Sequence, residues 1–322
     1  MAGRITLMPG RTKVMDLSVV IPVFNNEESL EILVEQLVAN CEEALGNGAY
    51  ELIFIDDGSQ DRSLTRLREL ASASNKNIRV LKLAKNYGQL SAIFAGYSKA
   101  LGKAVITVSA DLQDPIDLIP KFYKEFLSGI DIVIGSRQRR DDGLRRRFTS
   151  YVAYRIARIG HPSLPSGGFD YFLISRRGLN QILEFQHQTQ FIQGAIVDLG
   201  LPMSTIPYHR LERPFGKSQW TLLKKIRFLA DILVESTFAP IRILTGFGFV
   251  IVFISTLVFG VIGWGKLQGS TPFNGFAALV ALITTIGGTI ILMVGILGEY
   301  LIRTLRQISP NSRYIIDSDE SK

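Results

Sequence analysis

Residues 103–115 read KAVITVSADLQDP. The first half is apolar and β-branched, as in a strand buried on both faces of a sheet. The second half places Asp111, Gln113 and Asp114 where that strand stops. In an open parallel sheet, ligands bind beyond the carboxyl ends of the strands. The stretch therefore predicts an α/β fold and marks one edge of its cleft.

Working outward, the same alternation recurs. DLSVVIPVF (16–24) is a buried strand, and SLEILVEQLVANCEEAL (29–45) has apolar residues at helical spacing. YELIFIDDGS (50–59) is a second strand ending in acids and glycine, followed by a helix over 59–74. NIRVLKL (77–83), the helix YGQLSAIFAGYSKALG (87–102), a helix over 117–129 and DIVIGSR (131–137) continue the series. Strands alternating with helices imply a largely parallel, mixed sheet with helices on both faces. Beyond Arg137 the pattern weakens. RRDDGLRRRFTSY (139–151) has no clear period, PSGGFDYFLISR (165–176) holds a short strand, LNQILEF and FIQGAIVDLG are helical, and MSTIPYHRLER (203–213) is a further strand.

The C-terminal third reads differently. Residues 221–242 suggest amphipathic helices at a membrane interface, with Lys224, Lys225 and Arg227 off the apolar face. Residues 243–265 and 276–298 carry no charge, and each is about the 20 residues a bilayer requires. The connecting KLQGSTPFN has only Lys266, whereas the flanks carry Arg242, Arg303, Arg306 and Arg313. The expected layout is an extension over 1–15, a catalytic domain over 16–220, interfacial helices over 221–242, a transmembrane hairpin over 243–303 and a tail over 304–322. By the positive-inside rule, the catalytic domain and both termini face the cytoplasm of a multi-pass inner-membrane protein. Glycines such as Gly246, Gly260, Gly287 and Gly295 allow close helix approach and leave room for a homo-oligomer.

Composition limits the chemistry. Of 322 residues 47% are hydrophobic, mean hydropathy is +0.20, the net charge is +7 and the pI is near 9.5. That charge suits nucleic acid, an anionic surface or phosphorylated substrates, and the apolar C-terminal third favours the last two over nucleic acid. One cysteine, Cys41, excludes an intrachain disulfide and a cysteine-based zinc site. His161, His187 and His209 lack metal-ligand spacing. There is no GxxxxGK[ST], no GxGxxG after the first strand and no GxSxG.

Three strand ends carry polar clusters: Pro22, Asn25, Asn26 and Glu27; Asp56 and Asp57 before Gly58 and Ser59; and Asp111, Gln113 and Asp114. Caps and turns account for any one of them. Converging acids at three ends instead repel one another unless a cation joins them, and Mg²⁺ or Mn²⁺ binds one or two carboxylates together with substrate phosphates.

IPVFNNEESL, FIDDGSQDRS, KNYGQLSAIFAGYSKALG, SADLQDP, IVIGSR and RPFGKSQW, followed by two apolar runs, occur in the order found in family 2 glycosyltransferases. The chain resembles the polyisoprenyl-phosphate glycosyltransferases of that family, which include dolichol-phosphate mannose synthases and bactoprenol glucosyltransferases. The resemblance covers about Asp16 to Arg306 and implies a GT-A (Rossmann-like) fold. It implies that Pro22, Val23, Phe24, Asn25, Glu27, Asp56, Asp57, Lys85, Ser109, Ala110 and Asp111 meet the nucleotide sugar. The family's DxDxQ metal motif falls on Ser109, Asp111 and Gln113, so Asp111 and Gln113 are the implied ligands of Mg²⁺ or Mn²⁺. Ser109 replaces the first acid, and a hydroxyl is a poorer ligand than a carboxylate. Arg213, Lys217 and Ser218 match a phosphate-facing segment. Asp170, after Gly167 and Gly168, is implied beside sugar and acceptor, as orienter or base.

The implied reaction moves a sugar, with glucose from UDP-glucose as the first expectation, onto undecaprenyl phosphate with inversion. Holding a lipid phosphate against an anionic donor needs cationic forks. Arg137, Arg145, Arg146, Arg147 and Arg210 are the candidates from the sequence, with Arg137, Asp111 and Asp170 at the chemistry. Two alternatives stay open: a processive polysaccharide synthase, for which GKSQW lacks the QxxRW spacing, and a non-catalytic membrane module, which Ser109 favours.

Overall fold

The computed structural model describes residues 15–46, 49–73, 77–137, 191–211 and 313–320, most of 155–184, and scattered positions and short runs between 214 and 304. Strands β1 (Leu17–Val23), β2 (Tyr50–Asp56), β3 (Ile78–Leu83) and β4 (Ala104–Thr107) are followed in turn by helices α1 (Leu30–Leu45), α2 (Ser63–Ala73), α3 (Gln89–Lys99) and α4 (Ile119–Leu127). Then come β5 (Ile132–Arg137), β6 (Phe172–Ser175), α5 (Arg176–Glu184), α6 (Ile192–Asp198), β7 (Met203–Tyr208) and β8 (Ile316–Glu320).

The sheet has eight strands in the order β7-β5-β6-β4-β1-β2-β3-β8. β1 runs parallel to β2 and β4, β2 to β3, and β5 to β7. β6 is antiparallel to both β4 and β5, and β8 is antiparallel to β3. The expected mixed, largely parallel sheet is present. The central strands are apolar on both sides because helices cover both faces. Leu17, Val19, Ile21 and Val23 of β1 join one core with residues of α1 and α4. Val20 joins the other with residues of α3, α5 and α6. The second face packs closely: a Cβ on Gly96 of α3 would lie 2.5 Å from Val20 and 2.8 Å from Ile55.

At the amino end of the sheet a buried carboxylate does structural work. Glu51 Oε1 accepts from Ser18 Oγ at 2.6 Å and from Leu101 N at 2.6 Å, and Ser18 Oγ accepts from Gly102 N at 2.8 Å. The acids implicated by sequence all lie at the opposite, carboxyl end.

β8 belongs to the segment expected to be a tail. Its sequence, IDSDE, alternates acids with little apolar content. It pairs because the ground beneath it is basic: Arg68 reaches Glu320 at 2.6 Å, Arg79 reaches Asp319 at 2.5 Å, and Lys82 pairs with Asp317. Ala84 N donates to Ile315 O at 3.0 Å, which extends the pairing to the loop after β3.

The transmembrane hairpin is corrected. Among the described residues, no helix is long and apolar enough to cross a membrane. An uncharged run supplies the composition of a span, whereas a crossing also needs about 20 residues in unbroken helix, and no described helix has them. With it go the membrane-spanning enzyme and the multi-pass inner-membrane placement with cytoplasmic termini. Of 243–265 only Val250 and Trp264 are described, 276–298 is described in part, and 1–14 and all of 221–242 lie outside the described residues.

Candidate active site

The first wall of the cleft is made by the loops after β1 and β2, zipped together by side chains. Asn25 N donates to Ser59 Oγ (3.1 Å) and Asn26 N to Ser63 Oγ (2.9 Å), while Gln60 N donates back to Asn25 Oδ1 (2.8 Å). Glu27 N reaches Asp61 Oδ2, and Arg62 N reaches Glu27 Oε2, each at 3.2 Å. Asn25 takes φ 54, a left-handed conformation that asparagine tolerates well. Pro22 and Val23 are the last residues of β1, and Phe24 N is tied to Asn26 Oδ1 at 3.0 Å.

Asp56 and Asp57 are both buried. Asp56 Oδ1 accepts from Ser59 N at 3.3 Å. Asp57 clamps the loop after β3: Tyr87 N donates to Oδ1 at 2.7 Å and Gly88 N to Oδ2 at 2.9 Å. Burial raises the Asp57 carboxyl above its usual range, opposed by these two bonds and reinforced by Asp56. The clamp also holds the loop bearing Lys85, whose Nζ sits 5.2 Å from the Tyr87 ring centre. Gly58 permits it, with φ 70 and a virtual Cβ only 2.7 Å from Asn86 N.

The second wall follows β4. Leu112 takes φ 58, uncommon for a branched apolar residue, and buries its side chain in the core between Asp111 and Gln113. Asp111 is 8% exposed, and its Oδ1 accepts from Gln113 N at 3.2 Å. Ala110 O accepts from Ser29 Oγ at 2.7 Å, and Ser109 N donates to Asp114 Oδ2 at 3.3 Å. Gln113 and Leu211 are tied by two bonds, Leu211 N to Gln113 O at 3.1 Å and Gln113 Nε2 to Leu211 O at 3.4 Å.

β5, β6 and β7 complete the site. Arg137, at the end of β5, is 7% exposed at its side chain, and its Nη2 lies 2.5 Å from Asp170 Oδ2. Its Nε donates to Tyr208 OH at 3.4 Å, and Tyr208 OH donates to Asp114 Oδ1 at 3.1 Å. Asp170 Oδ1 accepts from Gln193 Nε2 at 2.9 Å. Burial pushes the Asp114 carboxyl up to about 6; Arg137 opposes this, Asp170 reinforces it, Arg210 opposes it and Asp111 reinforces it. Burial would lower the Arg137 guanidinium, but Asp170, Tyr208 and Asp114 outweigh it and raise it, so Arg137 carries its charge throughout.

The structure thus brings Asp111, Asp114, Arg137, Asp170 and Arg210 into one electrostatic cluster. Arg145, Arg146, Arg147, Arg213, Lys217 and Ser218 lie outside the described residues. Tyr208 and Gln193 were not singled out from sequence. Tyr208 closes a short strand of mixed polarity and Gln193 sits in a helical run, so neither carried a local signal; each is identified by its partner.

Among the described residues, no group of three or more His, Cys, Asp or Glu is arranged to hold a metal ion. The donor set still suits a hard cation bound chiefly by a substrate: one buried carboxylate, Asp111, and one amide, Gln113, at a strand end, with room in the coordination sphere for phosphate oxygens.

Comparison with known proteins matches residues 18–183 to the model of Glycosyl transferase family 2. The undecaprenyl-phosphate 4-deoxy-4-formamido-L-arabinose transferase of Pectobacterium carotovorum is 34% identical, over 96% of this chain and 94% of that protein. An uncharacterised glycosyltransferase of Bacillus subtilis is 33% identical, over 94% of this chain and 91% of its own. A crystal structure of glucosyl-3-phosphoglycerate synthase from Mycobacterium tuberculosis, with Mn²⁺, UDP-glucose and phosphoglyceric acid, shares 19% identity at a TM-score of 0.46, over 69% of this chain and 80% of that one.

Proposed function

The chain belongs to glycosyl transferase family 2 and is related to undecaprenyl-phosphate 4-deoxy-4-formamido-L-arabinose transferases, and on that premise we propose that it moves a sugar from a nucleoside-diphosphate sugar onto undecaprenyl phosphate. The observation that supports this most is the placing of a buried, permanently charged Arg137, held by Asp170, beside the acids that end β4. A cation fixed there can receive the phosphate of an acceptor while the donor occupies the loops after β1, β2 and β4.

The chemistry follows from the charges. An acceptor phosphate oxygen attacks the anomeric carbon, the bond from that carbon to the diphosphate breaks, and the nucleoside diphosphate departs with the electron pair. The configuration inverts. The attacking phosphate is already ionised at neutral pH, so the protein need not remove a proton from it. Its task is alignment and charge compensation. Arg137 binds and aims the acceptor phosphate, with Arg210 as a second cation nearby. Asp170 orients Arg137; paired at 2.5 Å with a guanidinium, it is suited to orienting rather than to acting as a base. Asp111 and Gln113 would hold Mg²⁺ or Mn²⁺ against the donor diphosphate, and the bound ion would supply charge neutralisation to the leaving group.

The test is incubation of the purified chain with undecaprenyl phosphate and a panel of radiolabelled nucleotide sugars, including UDP-glucose and nucleotide-linked 4-deoxy-4-formamido-L-arabinose. The expected result is chloroform-soluble label from one donor, lost in Asp111→Ala while the variant's circular dichroism spectrum stays parental. Label in a growing water-soluble polymer would instead indicate a processive synthase. No label from any donor would sink the proposal in favour of a non-catalytic module.

A further inference from the structure

Gln193 lies on α6, in neither of the cleft walls formed by β1, β2 and β4. It is 6% exposed, beside the buried Phe191, Ile196 and Val197. An amide in such surroundings is costly unless its polar atoms are bonded. Only half of that requirement is met. Nε2 donates to Asp170 Oδ1 at 2.9 Å, while Oε1 is buried with no hydrogen-bond partner among the described residues. Packing alone would favour leucine or methionine here. What the amide adds is one directed N–H, and it is aimed at a carboxylate that is itself half exposed.

That carboxylate uses its other oxygen to hold Arg137, so the two bonds act in series. Gln193 fixes one oxygen of Asp170, which sets the plane of the carboxylate, which aims the guanidinium. Bonds to both oxygens, from Arg137 and from Gln193, together set the plane of this carboxylate. We propose that Gln193 is a positioning residue for the transfer reaction, acting through Asp170 on Arg137. The inference rests on the function proposed above and deepens it.

The test compares the parent chain with Gln193→Leu, Gln193→Glu, Asp170→Asn and the double variant Gln193→Leu/Asp170→Asn. Steady-state kinetics are measured with the donor that labels undecaprenyl phosphate, and melting midpoints are recorded alongside. Gln193→Leu keeps the volume and removes the N–H. Its kcat is expected to fall about tenfold, the scale of one lost hydrogen bond to a charged group, with KM for the nucleotide sugar within about twofold. Gln193→Glu keeps the shape and polarity but sets a carboxylate against Asp170, and its kcat is expected to fall further. Because Gln193 acts only through Asp170, the double variant is expected to be no slower than Asp170→Asn alone.

An active parent with Gln193→Leu and Gln193→Glu both within twofold of it overturns the inference and leaves the proposed function standing. So does a double variant whose losses multiply, since that indicates a packing role independent of Asp170. Should Gln193→Leu fail to fold, Gln193→Glu decides: a folded variant with parental kcat overturns the inference, and a folded variant with reduced kcat at unchanged KM supports it. A parent that labels no lipid from any donor overturns the proposed function and this inference together.

Discussion

Arg137 Nη2 lies 2.5 Å from Asp170 Oδ2, across a pair whose side chains are 7% and 50% exposed. The arginine is an interior group whose counter-charge stands at the cleft. Removing the counter-charge should leave the guanidinium in place but poorly aimed. Asp170→Asn is therefore expected to lower kcat by about a hundredfold, in the range for loss of a preorganised electrostatic contact. Arg137→Lys should do at least as much damage, because an ammonium lacks the planar fork. Steady-state kinetics on both variants check this, with a circular dichroism spectrum to establish that the fold is retained.

Gly58 is the hinge of the first wall. Its φ is 70, and a Cβ there would meet Asn86 N at 2.7 Å and Lys85 C at 2.9 Å, both backbone atoms that cannot swing aside. Gly58→Ala should destabilise the protein by about 1–3 kcal/mol, the usual cost of a forced left-handed residue. It should also displace the loop carrying Lys85 and Tyr87. Chemical denaturation and nucleotide-sugar binding are the measurements, and a parental midpoint would contradict the reading.

Asp57 offers a complementary test, since both its oxygens accept backbone N–H bonds. Asp57→Ala leaves the donors of Tyr87 and Gly88 without their acceptor in a partly buried loop. A loss of about 1–3 kcal/mol is expected, with faster amide exchange at Tyr87 and Gly88.

The C-terminal strand should respond to acid. Arg79 holds the Asp319 carboxyl below its usual range against the opposing effect of burial, and Arg68 does the same for Glu320. A carboxylate depressed in the folded state contributes stability above its unfolded pKa and loses it as pH falls through the folded value. The window therefore opens below the ordinary values of 4.5 for Glu320 and 3.8 for Asp319. The difference in melting midpoint between the parent and Arg79→Gln reports the Asp319 pair, so it should be constant at neutral pH and shrink as pH falls below the ordinary Asp319 value of 3.8. It should also shrink at high salt, because these pairs are partly exposed.

Ser109, where the resemblance to the family implies an acid, has its N–H bonded to Asp114. Ser109→Asp adds a carboxylate close to Asp111. If Asp111 and Gln113 hold Mg²⁺ or Mn²⁺ with the donor, the metal concentration for half-maximal turnover should fall, and chelator should abolish turnover in the parent. Turnover indifferent to chelator would remove the metal from the reading.

How far the sequence reached depended on whether a signal was local. β1 to β5 and the four helices among them were legible because each apolar face recurs within a few residues, at a period of two or 3.6. The acids ending β1, β2 and β4 were legible for the same reason: they adjoin the strands that deliver them. The uncharged runs 243–265 and 276–298 pointed to a hairpin on composition alone, which does not establish a continuous helix, and among the described residues no helix is long and apolar enough to cross a membrane. β8 was missed because IDSDE has the composition of a solvated tail. Its strand depends on Arg68, Arg79 and Lys82, more than 230 residues earlier in the chain.

What the chain determined by itself was the succession of strands and helices and the kind of atom at each strand end, since both follow from neighbouring side chains and the backbone's two periodicities. What only the tertiary structure decided was who those atoms face. The antiparallel insertion of β6 between β4 and β5 puts Asp170 against Arg137, and α6 then brings Gln193 to Asp170. The register of β7 on β5 sets Tyr208 between Arg137 and Asp114. Such contacts join residues 23 to 94 positions apart. No local pattern encodes them, because they arise only when packing of both faces has settled the order and direction of the strands.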